Sequence, residues 1–216
     1  MNQSVGEISE KSKRQIMVLS AALAAIADTG KRAWLTDGTL LGFIRERDFI
    51  AHDHDMDLGM LINDLTPELI QSMVSHGFRL DGVRGTPDNG LEYTFEKNNE
   101  LLDIFFFYKR GNQLWHSAWL KKKYQINFIY DQFEIRPALF HGIDVWIPDA
   151  AEIFLEKKYG PGWIQKETSW SWAFSPKNVK VPVKHIIPYY KIWIKWKTKK
   201  IRYTIKDLFI FKRTIK

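Results

Sequence analysis

Asp53, Asp55 and Asp57 fall within five residues, directly ahead of the apolar run LGMLI. Side chains on an extended strand alternate faces, so Asp55 and Asp57 share one side, roughly 6.6 Å apart along the chain. Carboxylates at that reach repel each other unless a cation lies between them. A hard divalent ion with oxygen ligands is the natural occupant. The spacing first suggests a calcium loop, with Asp at positions one, three and five. That reading fails: Leu58 stands where the sharp turn needs Gly, and Asp64 where the loop needs Glu. LGMLI also has the character of a strand rather than a helix. A solvated acidic loop is the bland alternative. The third reading is a metal site for phosphoryl transfer, which needs two further parts. One is a Gly-Thr turn at a helix N-terminus, where backbone N–H groups hold a phosphate, and Gly38-Thr39 supplies it upstream. The other is a carboxylate on a later strand, to complete the metal shell or take a proton. Asp103 stands alone in LLDIFFFY, where a buried charge is costly unless a salt bridge or a metal compensates it. A His-Asp zinc site that uses His52 and His54 with His116 is the weaker alternative.

These residues need elements to position them. Ser9 is a fitting N-cap for a helix to about Asp28, stopped by Gly30. The apolar run at 17–27 follows Lys11, Lys13 and Arg14, as in a signal peptide. Ile16, Leu19, Leu23 and Ile26 recur at helical spacing, however, which favours an amphipathic helix. Residues 33–36 form a short strand, Asp37-Gly38 a turn, and 39–47 a helix with Leu40, Leu41 and Ile44 inward. Residues 55–62 make the acidic strand. Thr66 caps the next helix with Pro67 at its first position, and Gly77 ends it. Residues 78–83, 91–97 and 101–109 read as strands between turns. The stretch 114–140 is less regular, with strand-like pieces around Trp115 and Phe128. Pro148-Asp149 leads into a helix at 150–159, closed by Gly160-Pro161-Gly162. The order predicts an α+β domain with a mixed or antiparallel sheet.

Hydrophobic residues at 45% and charged residues at 26% over 216 positions describe one ordinary globular core. With no cysteine, disulfides, thiolate zinc sites and Cys nucleophiles are excluded. That suits a reducing compartment, and no run is long enough to span a bilayer. The expected location is the cytoplasm, peripheral at the inner membrane face. Residues 177–216 hold 13 Lys and Arg against Asp207, so they carry +12 of the net +7, leaving 7 − 12 = −5 for the rest. A basic segment rich in Trp, Tyr, Phe and Ile suits an anionic membrane surface or a phosphate-rich partner. A solvated helical extension is the plainer reading. The division expected is a catalytic domain at 1–175 and a basic aromatic extension, helical in form, at 176–216. Trp115, Trp119, Trp163, Trp170 and Trp172 are candidates to stack on a sugar or base.

The segment DGTLLGFIRERDFIAHDHDMDLGMLIND resembles the signature of the LicD/fukutin family, a branch of the nucleotidyltransferase fold. The matching positions are Gly38 to Gly42, Arg45, Phe49-Ile50 and Asp55 to Gly59. LDIFFFY around Asp103 resembles the family's later Asp-Ile-Phe strand, and IDVWIPDAAEIFLEKKYGPGW its closing strand and helix. Ala51 departs from the loop's usual Pro. The resemblance covers roughly residues 15–165 and implies a nucleotidyltransferase-like mixed sheet flanked by helices. It implies transfer of phosphocholine, or of ribitol or glycerol phosphate, from a CDP-activated donor to a sugar hydroxyl of a surface glycan or glycolipid, with release of CMP. Asp55 and Asp57 would then hold Mg²⁺ (or Mn²⁺), and Asp103 would bind metal or act as base. Gly38 and Thr39 would hold phosphate, and Arg45 and Arg47 would neutralise the leaving nucleotide. No nucleic-acid partner is expected. The alternatives are a nucleotidyltransferase attaching NMP to a small molecule or protein, and an inactive adaptor docked at a membrane.

Overall fold

The computed structural model describes the backbone of residues 8–214 and the side chains of residues 8–199. The last residues of the basic extension, 215 and 216, lie outside the described residues, as do residues 1–7 of the expected catalytic domain. Ser9 caps helix α1 (Glu10–Asp28), its Oγ accepting the Ser12 N–H at 3.0 Å. Val18, Leu19, Ala22, Ala25 and Ile26 are fully buried, so the apolar run at 17–27 belongs to this helix. Strand β1 (Trp34–Leu35) leads straight into α2 (Asp37–Glu46), and β2 (Asp55–Leu61) carries the aspartates. Asp37-Gly38 is therefore not a separate turn but the first turn of α2, with Asp37 at a strained φ of 44°. Helix α3 (Glu68–Ser75) follows, tied to α1 by the Ser72 hydroxyl donating to the Ala25 carbonyl at 2.8 Å. Thr66 does not cap it: Pro67 takes the cap position, and Thr66 Oγ1 is buried without a partner.

Five strands then run in a meander: β3 (Arg79–Thr86), β4 (Asn89–Lys97), β5 (Glu100–Arg110), β6 (Gln113–Leu120) and β7 (Tyr124–Asp131). A separate hairpin, β8 (Ile135–Phe140) and β9 (Ile143–Pro148), precedes α4 (Ala151–Tyr159). The short β10 (Val179–Lys180) and the long helix α5 (Val183–Thr214) complete the chain. The main sheet has eight strands and is mixed: β2 lies parallel to β5, and the other pairings are antiparallel. Strand β5 is its centre, pairing with β2, β4 and β6. Leu102, Ile104 and Phe106 of β5 are fully buried on one face, each worth roughly 1.5–3 kcal/mol of apolar burial. The extension from 176 onward is joined to the body, since β10 pairs with β7.

The stretch 114–140 is more regular than its sequence suggests. Strands β6 and β7 pair over their whole length. Their polar residues conceal the pattern because they bond to each other inside the sheet. Ser117 donates to Asn127 Oδ1 at 2.8 Å, and Gln125 Nε2 donates to Ser117 Oγ at 3.0 Å. A polar residue in such a ladder does not mark a solvent face.

Candidate active site

The parallel pairing of β2 and β5 sets Asp57 directly beside Asp103, with Asp55 two residues back beside Leu101. Partners in a ladder share a face, so the three carboxylates converge, and their ligand atoms lie within 4.8 Å of one another. Met56, Leu58, Leu102 and Ile104 point the other way, fully buried, which locks both strands in register. Among the described residues this trio is the group of carboxylates and imidazoles that could hold a metal; His52, His54 and His116 form no such group. The zinc alternative therefore falls.

The electrostatics fit a cation. Burial, then the charges of Asp55, Asp37, Asp53 and Asp103, push the Asp57 carboxyl well above the usual range. Burial raises Asp103 to about 6, with Asp55 adding to the shift while Thr94 and Arg84 oppose it. Asp103 Oδ1 is buried and has no hydrogen-bond partner. Buried carboxylates that repel each other, one with an orphaned oxygen, are what a hard divalent ion would relieve.

Above them sits the first turn of α2. The Gly38 N–H donates to Asp57 Oδ2 at 2.8 Å, and the Asp57 N–H donates to Thr39 Oγ1 at 2.8 Å. A Cβ at Gly38 would collide with Asp53 Oδ2 and come within 3.0 Å of Asp57 Oδ2. A Cβ at Gly42 would come within 2.6 Å of the Asp48 carbonyl, so the loop that carries Asp53 also needs glycine. Thr39 is buried and does not line the cleft; its hydroxyl ties the turn to β2. Behind the turn, buried Asp37 pairs with Lys158 Nζ of α4 at 2.5 Å and accepts the Tyr130 hydroxyl at 3.3 Å. Burial opposes the Asp37 charge, but Lys158, His116 and Tyr130 outweigh it and hold its carboxyl below the usual range. Burial pushes His116 down to about 4, against the pull of Asp37, so its ring is neutral.

A cleft of about 770 Å³ opens over the trio. Gly38, Arg45, His52, Asp53, Asp55, Asp57 and Asp103 all line it. Arg45 pairs with Glu46 at 2.7 Å, and Glu46 in turn with Lys166 at 2.9 Å. Arg47 is exposed at the end of α2, at a φ of 57°, and does not line the cleft. Trp119, Trp163, Trp170 and Trp172 line it; Trp115 instead stacks on Tyr108 at 4.5 Å. Burial, then Asp55, brings Asp53 to about 7.

Among the lining residues that the sequence did not single out are Glu92, Thr94 and Arg84. Glu92 and Thr94 of β4 lie on the same face as Asp103, which is paired with Thr94. Arg84 of β3 donates to Glu92 Oε1 and to Thr94 Oγ1, both at 2.8 Å. Burial, then Asp103, raises Glu92 to about 8 against the Arg84 charge. Alternation of Glu92 and Thr94 with Leu91, Tyr93 and Phe95 marks their shared face, but nothing local says that β4 lies beside β5 rather than at an edge.

Known proteins resemble this chain in sequence. The fukutin of Mus musculus, described as a ribitol-5-phosphate transferase, is 33% identical over 172 residues, covering 78% of this chain and 37% of its own length. The mouse ribitol 5-phosphate transferase FKRP is 28% identical over 165 residues, 72% of this chain and 32% of its own. The chain thus spans about a third of the length of these relatives. The solution structure of the antibiotic-resistance factor ANT(2'')-Ia aligns over 91% of this chain and 96% of its own, at 15% identity and a TM-score of 0.45, too weak a likeness to argue from. The family model described as LicD/FKTN/FKRP, nucleotidyltransferase domain, matches residues 30–150, the segment that builds the glycine turn and all three carboxylates. The chain belongs to the LicD/FKTN/FKRP family.

Proposed function

We propose that this cleft moves an alditol phosphate, ribitol or glycerol phosphate, from a CDP-activated donor to a sugar hydroxyl of a glycan or glycolipid, releasing CMP. The observation that carries the reading is the register of Asp57 with Asp103 under the Gly38 turn, facing a cleft large enough for a nucleotide. The relatives described as ribitol-5-phosphate transferases favour an alditol phosphate over phosphocholine. The all-carboxylate set of Asp55, Asp57 and Asp103 suits Mg²⁺ or Mn²⁺. Such an ion, when bound, neutralises charge on the donor diphosphate.

The chain's own groups divide the remaining work. Asp103, whose Oδ1 lacks a partner, serves the ion with one oxygen and accepts the proton of the incoming hydroxyl on the other. The hydroxyl oxygen bonds to the distal phosphorus, and the bond from that phosphorus to the CMP oxygen breaks. Arg45 and Arg84 bring positive charge to the cleft, and Trp119, Trp163, Trp170 and Trp172 offer faces for the base or the sugar. Thr39 acts at one remove, by fixing the Asp57 backbone. Arg47 lies outside the cleft and is given no role in this reading.

The test is CMP release from CDP-ribitol, CDP-glycerol and CDP-choline with Mg²⁺ and a saccharide acceptor. An alditol donor should yield CMP, and Asp55→Asn should reduce the rate roughly 10²- to 10³-fold. No CMP from any donor would overturn the reading. Pyrophosphate from a nucleoside triphosphate would replace it with NMP transfer.

A further inference from the structure

Helix α5 carries two stripes of identical spacing on opposite sides. His185, Tyr189, Ile192 and Trp196 hold it to the body. The Gln125 N–H donates to His185 Nδ1 at 2.9 Å, and the Tyr189 hydroxyl donates to the Ala173 carbonyl at 3.0 Å. Phe174 packs on the rings of Tyr189 and Trp196, each at 5.4 Å, and Ile192 packs against the core. Val183, Ile187, Tyr190 and Ile194 repeat that same four, three, four spacing, turned about half a revolution around the axis. They are 86%, 68%, 52% and 53% exposed. Lys184, Lys191 and Lys195 are exposed along one flank of this second stripe.

In the sequence past residue 199 both series continue, the apolar one with Ile201, Ile205 and Leu208, the basic one with Arg202, Lys206 and Arg213. Asp207 is the lone acid from 177 to 216. No helix among the described residues is long and apolar enough to cross a membrane. An exposed apolar stripe beside a row of lysines is the arrangement of a helix lying in a lipid interface.

We propose that α5 docks this protein on the surface of an anionic bilayer, with the Val183–Ile187–Tyr190–Ile194 stripe in the acyl boundary and the lysine flank among lipid phosphates. Charge complementarity selects this occupant. A second copy paired stripe to stripe would bring two basic flanks together, and like charges in apposition are costly. A nucleic acid would use the lysines but leave the isoleucines in water.

The experiment is vesicle flotation of the full chain with phosphatidylcholine alone and with added phosphatidylglycerol, at low and high salt. The protein should float with the anionic vesicles and lose affinity as salt rises. Lys184→Gln/Lys191→Gln/Lys195→Gln should weaken binding on the order of a hundredfold. Ile187→Ser/Ile194→Ser should weaken it by roughly tenfold or more, with circular dichroism and Tm unchanged to show that the fold is kept. Flotation unaffected by the serine pair would overturn the proposal. So would a dimer that the serine pair dissolves in a chain that binds no vesicles, which would assign the stripe to a second copy. Binding to a DNA oligonucleotide without binding to lipid would overturn it in favour of nucleic acid.

Discussion

A methyl group at position 38 would press on two carboxylates at once, Asp53 and Asp57. Gly38→Ala should therefore displace these two carboxylates and lower turnover by about 10²-fold, the usual cost of an ångström of misplacement. Far-UV circular dichroism should be unchanged, because the crowding atoms are side-chain oxygens at the cleft. His116 tests the buried network behind the turn. Its folded pKa of about 4 lies below the roughly 6.5 of an unfolded chain. Between those values the unfolded state binds more protons, so this residue makes stability rise with pH across that window, by up to ~3 kcal/mol. The Tm advantage of wild type over His116→Phe should shrink as pH falls from about 6.5 to 4. A constant difference would mean that the imidazole is charged in the fold. At this scale the aspartates were legible because a carboxylate in an apolar strand is anomalous. Lys158 and Tyr130 were not, since a lysine in a helix and a tyrosine in a strand look ordinary until Asp37 is seen beside them.

Helices α2 and α4 meet at one buried ion pair, Asp37 with Lys158, only 6% exposed at the lysine side chain. It fixes the turn that carries Gly38 against helix α4. Removing one partner of such a pair leaves a buried charge uncompensated and typically costs about 3–5 kcal/mol. Lys158→Ala should lower Tm by roughly 10 °C, and adding Asp37→Asn should recover part of that loss in thermal denaturation. Element boundaries followed the sequence where caps and glycines govern, as in α1 with Ser9 and Gly30 and in α3, which stops two residues before Gly77. They did not at β6 and β7, where Ser117, Gln125 and Asn127 satisfy one another indoors and erase the alternation a single strand would show. The parallel register of β2 with β5 was likewise invisible, because it joins residues 46 apart in sequence, Asp57 and Asp103.

Across the whole molecule, a rigid mixed sheet holds mutually repelling carboxylates in place, at a cost in stability that bound metal would relieve. Neutralising one of them should stabilise the metal-free protein while abolishing its chemistry, the opposite of what a purely structural role predicts. Asp57→Asn and Asp103→Asn should each raise the metal-free Tm, and Mg²⁺ should raise the Tm of wild type but of neither variant. The most direct test of the central claim is Mn²⁺ binding followed by electron paramagnetic resonance in wild type, Asp55→Asn and Asp103→Asn. The account predicts one tightly held Mn²⁺ per wild-type chain, perturbed by added CDP, and its loss in both variants with the fold intact. Undiminished Mn²⁺ binding in the variants, or none in the wild type with CDP present, would contradict it.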